Sequence, residues 1–268
     1  MRKISLAIVT AAGLLLFALP AAQASASATG PPKIPGNNTH RPSLAQRERN
    51  GTTPGISVID NENWSGYVAT GKTFSYVTGS YTVPSVNCTK TPTTFSYHWV
   101  GLDGASDGTV EQDGIGSFCN GSTPYYFGWA WMYPTPGEIK QITVSPGDAI
   151  TSSVDYASGV YTLRLTDQPS GASFDVTSKG TYGNSSAEAI TEGYPTSGEN
   201  GTADFGEEHY DTIKVTDTAG QHGGLESGDW STDEYIPIGA SNDVDTQPGP
   251  LLNSSTQSAF EVTWEHEN

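Results

Sequence analysis

From about residue 60 onward, apolar and polar positions alternate in short runs that Gly, Pro, Asn, Asp and Ser interrupt. Period-two alternation sends successive side chains to opposite faces of an extended chain, so each run predicts a β-strand. The runs fall at 64–70, 73–82, 94–101, 109–114, 125–133 and 149–156. Others follow at 160–167, 172–179, 187–192, 203–209, 212–217 and 257–266. No long stretch keeps a 3.6-residue apolar period free of Gly or Pro, so no helix is expected. Many evenly spaced strands in one body of about 210 residues predict an all-β fold, a two-sheet antiparallel sandwich or jelly roll. The pattern contains no internal repeat and no second domain.

Three of these runs carry unusual residues. In "YYFGWAWMYP", Tyr125, Phe127, Trp129, Trp131 and Tyr133 share one face. Such a face is either a core face or the floor of a groove that grips extended polymers, since Tyr and Trp tolerate partial exposure. Val110, Gln112 and Gly114 share a face in "HWVGLDGASDGTVEQDGIGSFC". Glu188, Ile190 and Glu192 do so in "NSSAEAITEGY". A Gln or Glu on a strand is ordinarily a solvated surface residue. If the two strands lie near one another on one sheet, however, the amide and a carboxylate meet in a groove. A carboxylate activates water as a general base in mild acid, where His is protonated. A side-chain amide does not titrate and donates to an oxyanion at any pH. By alternation alone, Glu188 and Glu192 are rivals for the base.

Charge and cysteines define the setting. Arg2 and Lys3, the apolar stretch 4–22 and Ala22-Gln23-Ala24 read as a secretory signal over 1–24. A Pro- and Gly-rich segment at 25–56, devoid of aromatics, reads as a propeptide or disordered leader. It carries Lys33, Arg41, Arg47 and Arg49 against Glu48, whereas the chain from Ile56 on has six basic residues against twenty-eight acidic ones. A body this acidic repels nucleic acid and anionic membrane. Few cations remain to repel one another once its carboxylates are neutralised, which suits work in acid. Cys88 and Cys119 are the only cysteines and, in an exported chain, are expected to form a disulfide enclosing Gln112. Two cysteines and five scattered histidines offer no metal-ligand spacing, and neither a metal nor a cofactor is expected.

The blocks around Gln112 and Glu188, with "NWSGYVAT" at 63–70, "GSYTVP" at 79–84 and "FEVTW" at 260–264, resemble the glutamic peptidases, the eqolisin family. The blocks occur in the family's order and span nearly all of the chain beyond residue 60. The resemblance implies a lectin-like double sheet with a curved face over 57–268, and a secreted acid endopeptidase acting on proteins or peptides. It assigns catalysis to Gln112 and Glu188 and favours Glu188 over Glu192 as the base. By motif it also implies that Trp99 and Asp103 in "WVGLDG" line the groove, and that Trp129 and Tyr133 contact substrate. The bland alternatives are core packing for the tryptophans and a turn role for Asp103. The chain departs from the family pattern at Trp131, where an acid is usual, at Ala189, where a Trp is usual, and at Gly116, near which an Asp is common. Asp113 is expected to stand in partly for that Asp.

Other readings remain open at this point. A carbohydrate-binding or glycoside-hydrolysing lectin-like sandwich also uses aromatic grooves and paired carboxylates, although no "ExDxxE"-like strand motif is present. An inactive secreted binding module fits the composition as well. "GASDG" at 104–108 matches the letters of a nucleophile elbow at Ser106, but a strand-like run follows where a helix is required, which favours a Gly-rich turn. A monomer is the default expectation.

Overall fold

Alternation along the chain becomes seventeen strands in the structure, a computed structural model that describes residues 51–134, 140–193, 201–238 and 244–266. The signal segment and residues 25–50 of the leader lie outside the described residues. The first strands are β1 (Ser57–Asn61), β2 (Trp64–Thr70), β3 (Phe74–Thr82), β4 (Phe95–Leu102) and β5 (Val110–Asn120). Next come β6 (Thr123–Tyr133), β7 (Lys140–Thr143), β8 (Ala149–Ala157), β9 (Val160–Asp167) and β10 (Ser173–Lys179). Then β11 (Ser186–Glu192), β12 (Glu207–Asp217), β13 (His222–Gly223) and β14 (Ser231–Pro237) follow. The last are β15 (Thr246–Pro248), β16 (Leu252–Asn253) and β17 (Ser258–Trp264).

They form two sheets. The first has eight strands in the order β1-β14-β2-β11-β4-β5-β6-β7; the second runs β10-β9-β8-β3-β12-β17-β15, with β13 beside β12 and β16 beside β17. Every pair is antiparallel except β1 with β14. The expected two-sheet all-β sandwich is what the structure shows. Tight turns set the registers. Between β8 and β9, Ser158 and Gly159 both take positive φ (52° and 79°), the type I′ geometry whose twist matches a two-residue hairpin.

The sheets differ in how many faces they bury. One core cluster joins them, with Tyr67, Val100, Leu102, Ile115 and Ala189 of the first sheet against Val77, Val154, Leu163, Tyr210 and Phe260 of the second. A separate cluster of Trp64, Val68, Tyr97, Trp99, Phe127, Trp129, Ile190 and Tyr235 occupies the other face of the first sheet. Strands β2, β4 and β11 are therefore almost continuously buried, while β9 and β12 bury alternate residues. Of the segment assigned to the leader, 51–56 joins the sandwich. The Thr52 N–H and hydroxyl donate to the Glu234 carboxylate at 2.8 and 3.0 Å, and Thr53 Oγ1 lies 2.9 Å from the Tyr67 hydroxyl. Cys88 and Cys119 form the expected disulfide, Cα–Cα 5.2 Å and 31 residues apart in sequence. Closing a loop of that length stabilises the fold by roughly 3–4 kcal/mol through the unfolded chain.

Carboxyls buried between the sheets give the fold a pH dependence. Burial holds Asp113 and Glu208 well above their ordinary values, and lifts Glu111 to about 10 and Asp103 to about 6. Because the folded state keeps these protons, their stabilisation is full below the unfolded carboxylate pKa, about 4, and is lost as pH rises. Buried His98, lowered to about 3, acts oppositely, losing stability as pH falls below 6.5. Four carboxyls outweigh one imidazole. Thermal unfolding followed between pH 4 and 7 is expected to show a melting temperature that declines steadily, with a shallower decline in Asp113→Asn. A melting temperature that climbs across this interval contradicts the assignment.

Candidate active site

The register across the first sheet places the two polar groups. Val68 of β2 pairs with Glu188 of β11, Glu188 with Gly101 of β4, Gly101 with Gln112 of β5, and Gln112 with Trp131 of β6. Directly paired residues point to the same face, so Glu188 and Gln112 face the same way with one strand between them. Two strand spacings put their backbones roughly 9–10 Å apart. The residue between them has no side chain. A Cβ at Gly101 would stand 2.9 Å from Glu188 Oε1 and 2.8 Å from Trp99 Cζ3. The Glu188 carboxylate therefore leans over Gly101, toward the strand that carries Gln112.

Both side chains are fully buried, on the face turned away from the second sheet. Among the described residues, none makes a well-formed hydrogen bond to either carboxylate oxygen of Glu188 or either amide atom of Gln112, although the Ser186 hydroxyl lies near enough to Glu188 to interact with it. A buried polar group without a partner is costly and calls for an explanation, commonly catalysis or a bound molecule. Glu111, Asp113 and Glu208 also lack a well-formed hydrogen bond among the described residues, although Asp103, Ser152 with Ser153, and Thr82 lie near them respectively; they belong to the opposite face or to the second sheet. Burial drives the Glu188 pKa well above its ordinary value of 4.5; the Ser186 hydroxyl eases it downward, and Asp103, Glu111 and Asp107 raise it further.

Glu192 lies two rows along the same face and is already engaged. Its Oε2 accepts the Trp99 indole N–H at 3.1 Å and its Oε1 accepts the Asn63 amide at 2.9 Å. Of the two acids that alternation leaves as rivals, Glu192 is the one held by hydrogen bonds to residues 93 and 129 positions away.

The remaining residues named from the sequence divide. Trp99 and Trp129 are buried on the shared face, with Trp64 edge-on to Trp99 at 5.0 Å and Tyr97 edge-on to Trp129 at 5.6 Å. Half-buried Tyr133 meets Trp131 edge-on at 5.3 Å, beyond Gln112. Asp103 follows the end of β4 with φ +69°, and its Oδ1 accepts the Ser185 N–H at 2.6 Å, tying the β4–β5 turn to the start of β11. Asp113 cannot replace an acid on the site face. It pairs with Val100 and Ala130 on the opposite face, against Ser152 and Ser153 of β8. Ser106 sits in the turn after β4, its hydroxyl 3.2 Å from Ser185 Oγ, and a strand rather than a helix follows it. Asp233 and Tyr235 of β14 were not singled out from the sequence, yet they flank Val68 and Glu188 on the site face. Only the pairing of β14 with β2, across more than 160 residues, brings them there.

The chain matches known proteins on both sequence and fold. The sequence model of the Peptidase A4 family matches residues 62–249, and the chain belongs to that family, the glutamic-type peptidases. Aspergillopepsin-2 of Aspergillus niger is 30% identical over 151 residues, which cover 48% of this chain and 50% of that protein. The chain thus spans about half the length of that curated relative. Scytalido-glutamic peptidase, solved with a transition state analog inhibitor, superposes with TM-score 0.62 at 22% identity, over 76% of this chain and 98% of that one. Aspergilloglutamic peptidase from Aspergillus niger gives TM-score 0.52 at 23% identity, over 64% and 99%. These two likenesses show the fold.

The gap over Gly101 is directly testable. Gly101→Ala places a methyl against Glu188 Oε1 and the Trp99 ring. NMR titration of the Glu188 carboxyl is expected to show a midpoint moved from wild type by half a unit or more, with the circular dichroism of the sandwich unchanged. An unmoved midpoint contradicts the placement of the carboxylate over Gly101.

Proposed function

We propose that the chain is a secreted acid endopeptidase in which Glu188 activates water and Gln112 holds the oxyanion. The observation that supports this most is the pair itself: two buried polar side chains in one row, neither with a well-formed hydrogen bond among the described residues, separated by a residue without a side chain. A peptide carbonyl set over Gly101 lies between a base and a donor. The ionised Glu188 takes a proton from water as its oxygen attacks the carbonyl carbon. The oxyanion of the tetrahedral intermediate accepts from the Gln112 NH2. Glu188 then passes its proton to the leaving nitrogen as the C–N bond breaks, giving an acid and an amine with no acyl-enzyme.

Specificity follows from the flanks. Trp129, Trp131 and Tyr133 form an aromatic wall on the Gln112 side, suited to the apolar side chains of an extended peptide. The glycoside-hydrolysing alternative needs a second carboxyl across the scissile bond, at a separation of roughly 5–10 Å. On the Gly101 side the group facing Glu188 is the Gln112 amide; Asp233 lies two strands away on the opposite side, beyond Val68, and Glu192 is bonded to Trp99 and Asn63. Export rests on the N-terminal segment read as a signal, and the protein is expected outside the cell as a monomer.

The test compares kcat, KM and pH profiles on casein-derived peptides. Glu188→Gln is expected to lower kcat by about 10³-fold or more. Gln112→Ala is expected to lower it by about 10²–10³-fold while keeping the pH profile, because the amide does not titrate. Wild-type turnover in either variant removes that residue from the mechanism. Cleavage of polysaccharide but not of protein by the wild type overturns the reading.

A further inference from the structure

Glu192 is a buried carboxylate on the site face that the proposed chemistry leaves without a role. It stands on β11 in the row that contains Tyr97, Glu188 stands in the row of Gly101, and Trp99 occupies the row between them. The Trp99 indole bridges the two acids. Its pyrrole N–H donates to Glu192 Oε2, while Cζ3, at the far edge of the benzene ring, reaches the space over Gly101 where Glu188 Oε1 lies. The other oxygen of Glu192 accepts from Asn63, which the neighbouring chain fixes in turn: Asn63 N donates to Asn61 Oδ1 at 3.0 Å, and Gly193 N donates to Asn63 O at 3.0 Å. Trp64 closes the far side of the indole edge-on.

We propose that Glu192 is a positioning residue for the peptidase reaction, fixing the Trp99 indole as the wall that keeps bulk water off the Glu188 carboxylate. The proposal rests on Glu188 being the base. A carboxylate suits the task because it accepts two N–H bonds at once, whereas an amide offers one acceptor and one donor. The acids and phenol that also bear on Glu188 come from other elements: Asp103, Asp107 and Glu111 from the β4–β5 region, and Asp233 and Tyr235 from β14. None of these touches the indole N–H, so loosening Trp99 changes the hydration of Glu188 while leaving them in place. Burial is the largest influence on Glu188, and the edge of the indole is one of the groups packed beside its carboxylate over Gly101.

Three single variants, one double variant and their pH profiles test this. Glu192→Ala frees the indole, and the acid limb of kcat/KM is expected to move about one pH unit or more toward lower pH as Glu188 gains water. Glu192→Gln keeps an acceptor for Trp99, with the Asn63 amide turned to present its oxygen, and is expected to bring the limb back near wild type. Trp99→Phe, with Glu192 intact, is expected to shift the limb in the same direction as Glu192→Ala. The double variant Glu192→Ala, Trp99→Phe is expected to go no further than Trp99→Phe alone. If Glu192→Ala does not fold, the comparison of Glu192→Gln with Trp99→Phe decides. Additive shifts, or a limb unmoved in Trp99→Phe, overturn the proposal while an inactive Glu188→Gln leaves the base assignment standing. Full activity of Glu188→Gln removes the base assignment itself.

Discussion

Everything at this site turns on a missing side chain. Gly101 leaves a gap among the side chains of its row, and Glu188 Oε1 and the edge of the Trp99 ring fill it. Antiparallel pairing then leaves no freedom over what borders the gap, because residues opposite one another in adjacent strands share a face. Glu188 stands on one side and Gln112 on the other, and the ring of Trp99 bounds the gap along the strand direction. Chemistry there is a consequence of register. A slip of one residue in β5 would exchange Gln112 for Glu111 or Asp113 and turn the amide toward the second sheet.

The same physical effect, desolvation of carboxyls, acts on both faces of the first sheet with opposite consequences for function. Between the sheets, Asp113 and Glu111 hold protons, and the fold weakens as rising pH removes them. On the site face, burial makes Glu188 hold its proton more tightly, which opposes the ionisation that the proposed base role requires. Buried His98 limits stability at the acid end, since charging it inside the core opposes folding in strong acid.

Much of this was legible along the chain, where packing leaves a period. The run at 160–167 coincides with β9, which alternates cleanly because one face meets the core and the other does not. Cys88 and Cys119 had no other partners to choose. The strand β14 went unread because Ser231, Thr232, Asp233 and Glu234 break the apolar pattern; Thr232 and Asp233 are half-buried and Glu234 buried by tertiary contacts, not by periodicity. The runs at 203–209 and 212–217 meet in one strand, β12, whose irregularity between Tyr210 and Ile213, with Thr212 at φ +53°, looks like a boundary in sequence. The face of the aromatic run 125–133 was legible, but not whether that face met the core or a site. The engagement of Glu192 with Trp99 and Asn63 rests on long-range hydrogen bonds that no local pattern encodes.

The most direct measurement of the central claim is a crystal structure of the protein bound to a peptide carrying a phosphinate in place of the scissile bond, a tetrahedral mimic of attacked carbonyl. The account predicts one phosphinate oxygen within about 2.6–3.2 Å of a Glu188 carboxylate oxygen and the other within the same reach of Gln112 Nε2, both above Gly101. A phosphinate held instead against Glu192, or bound with Gln112 turned away, would contradict it.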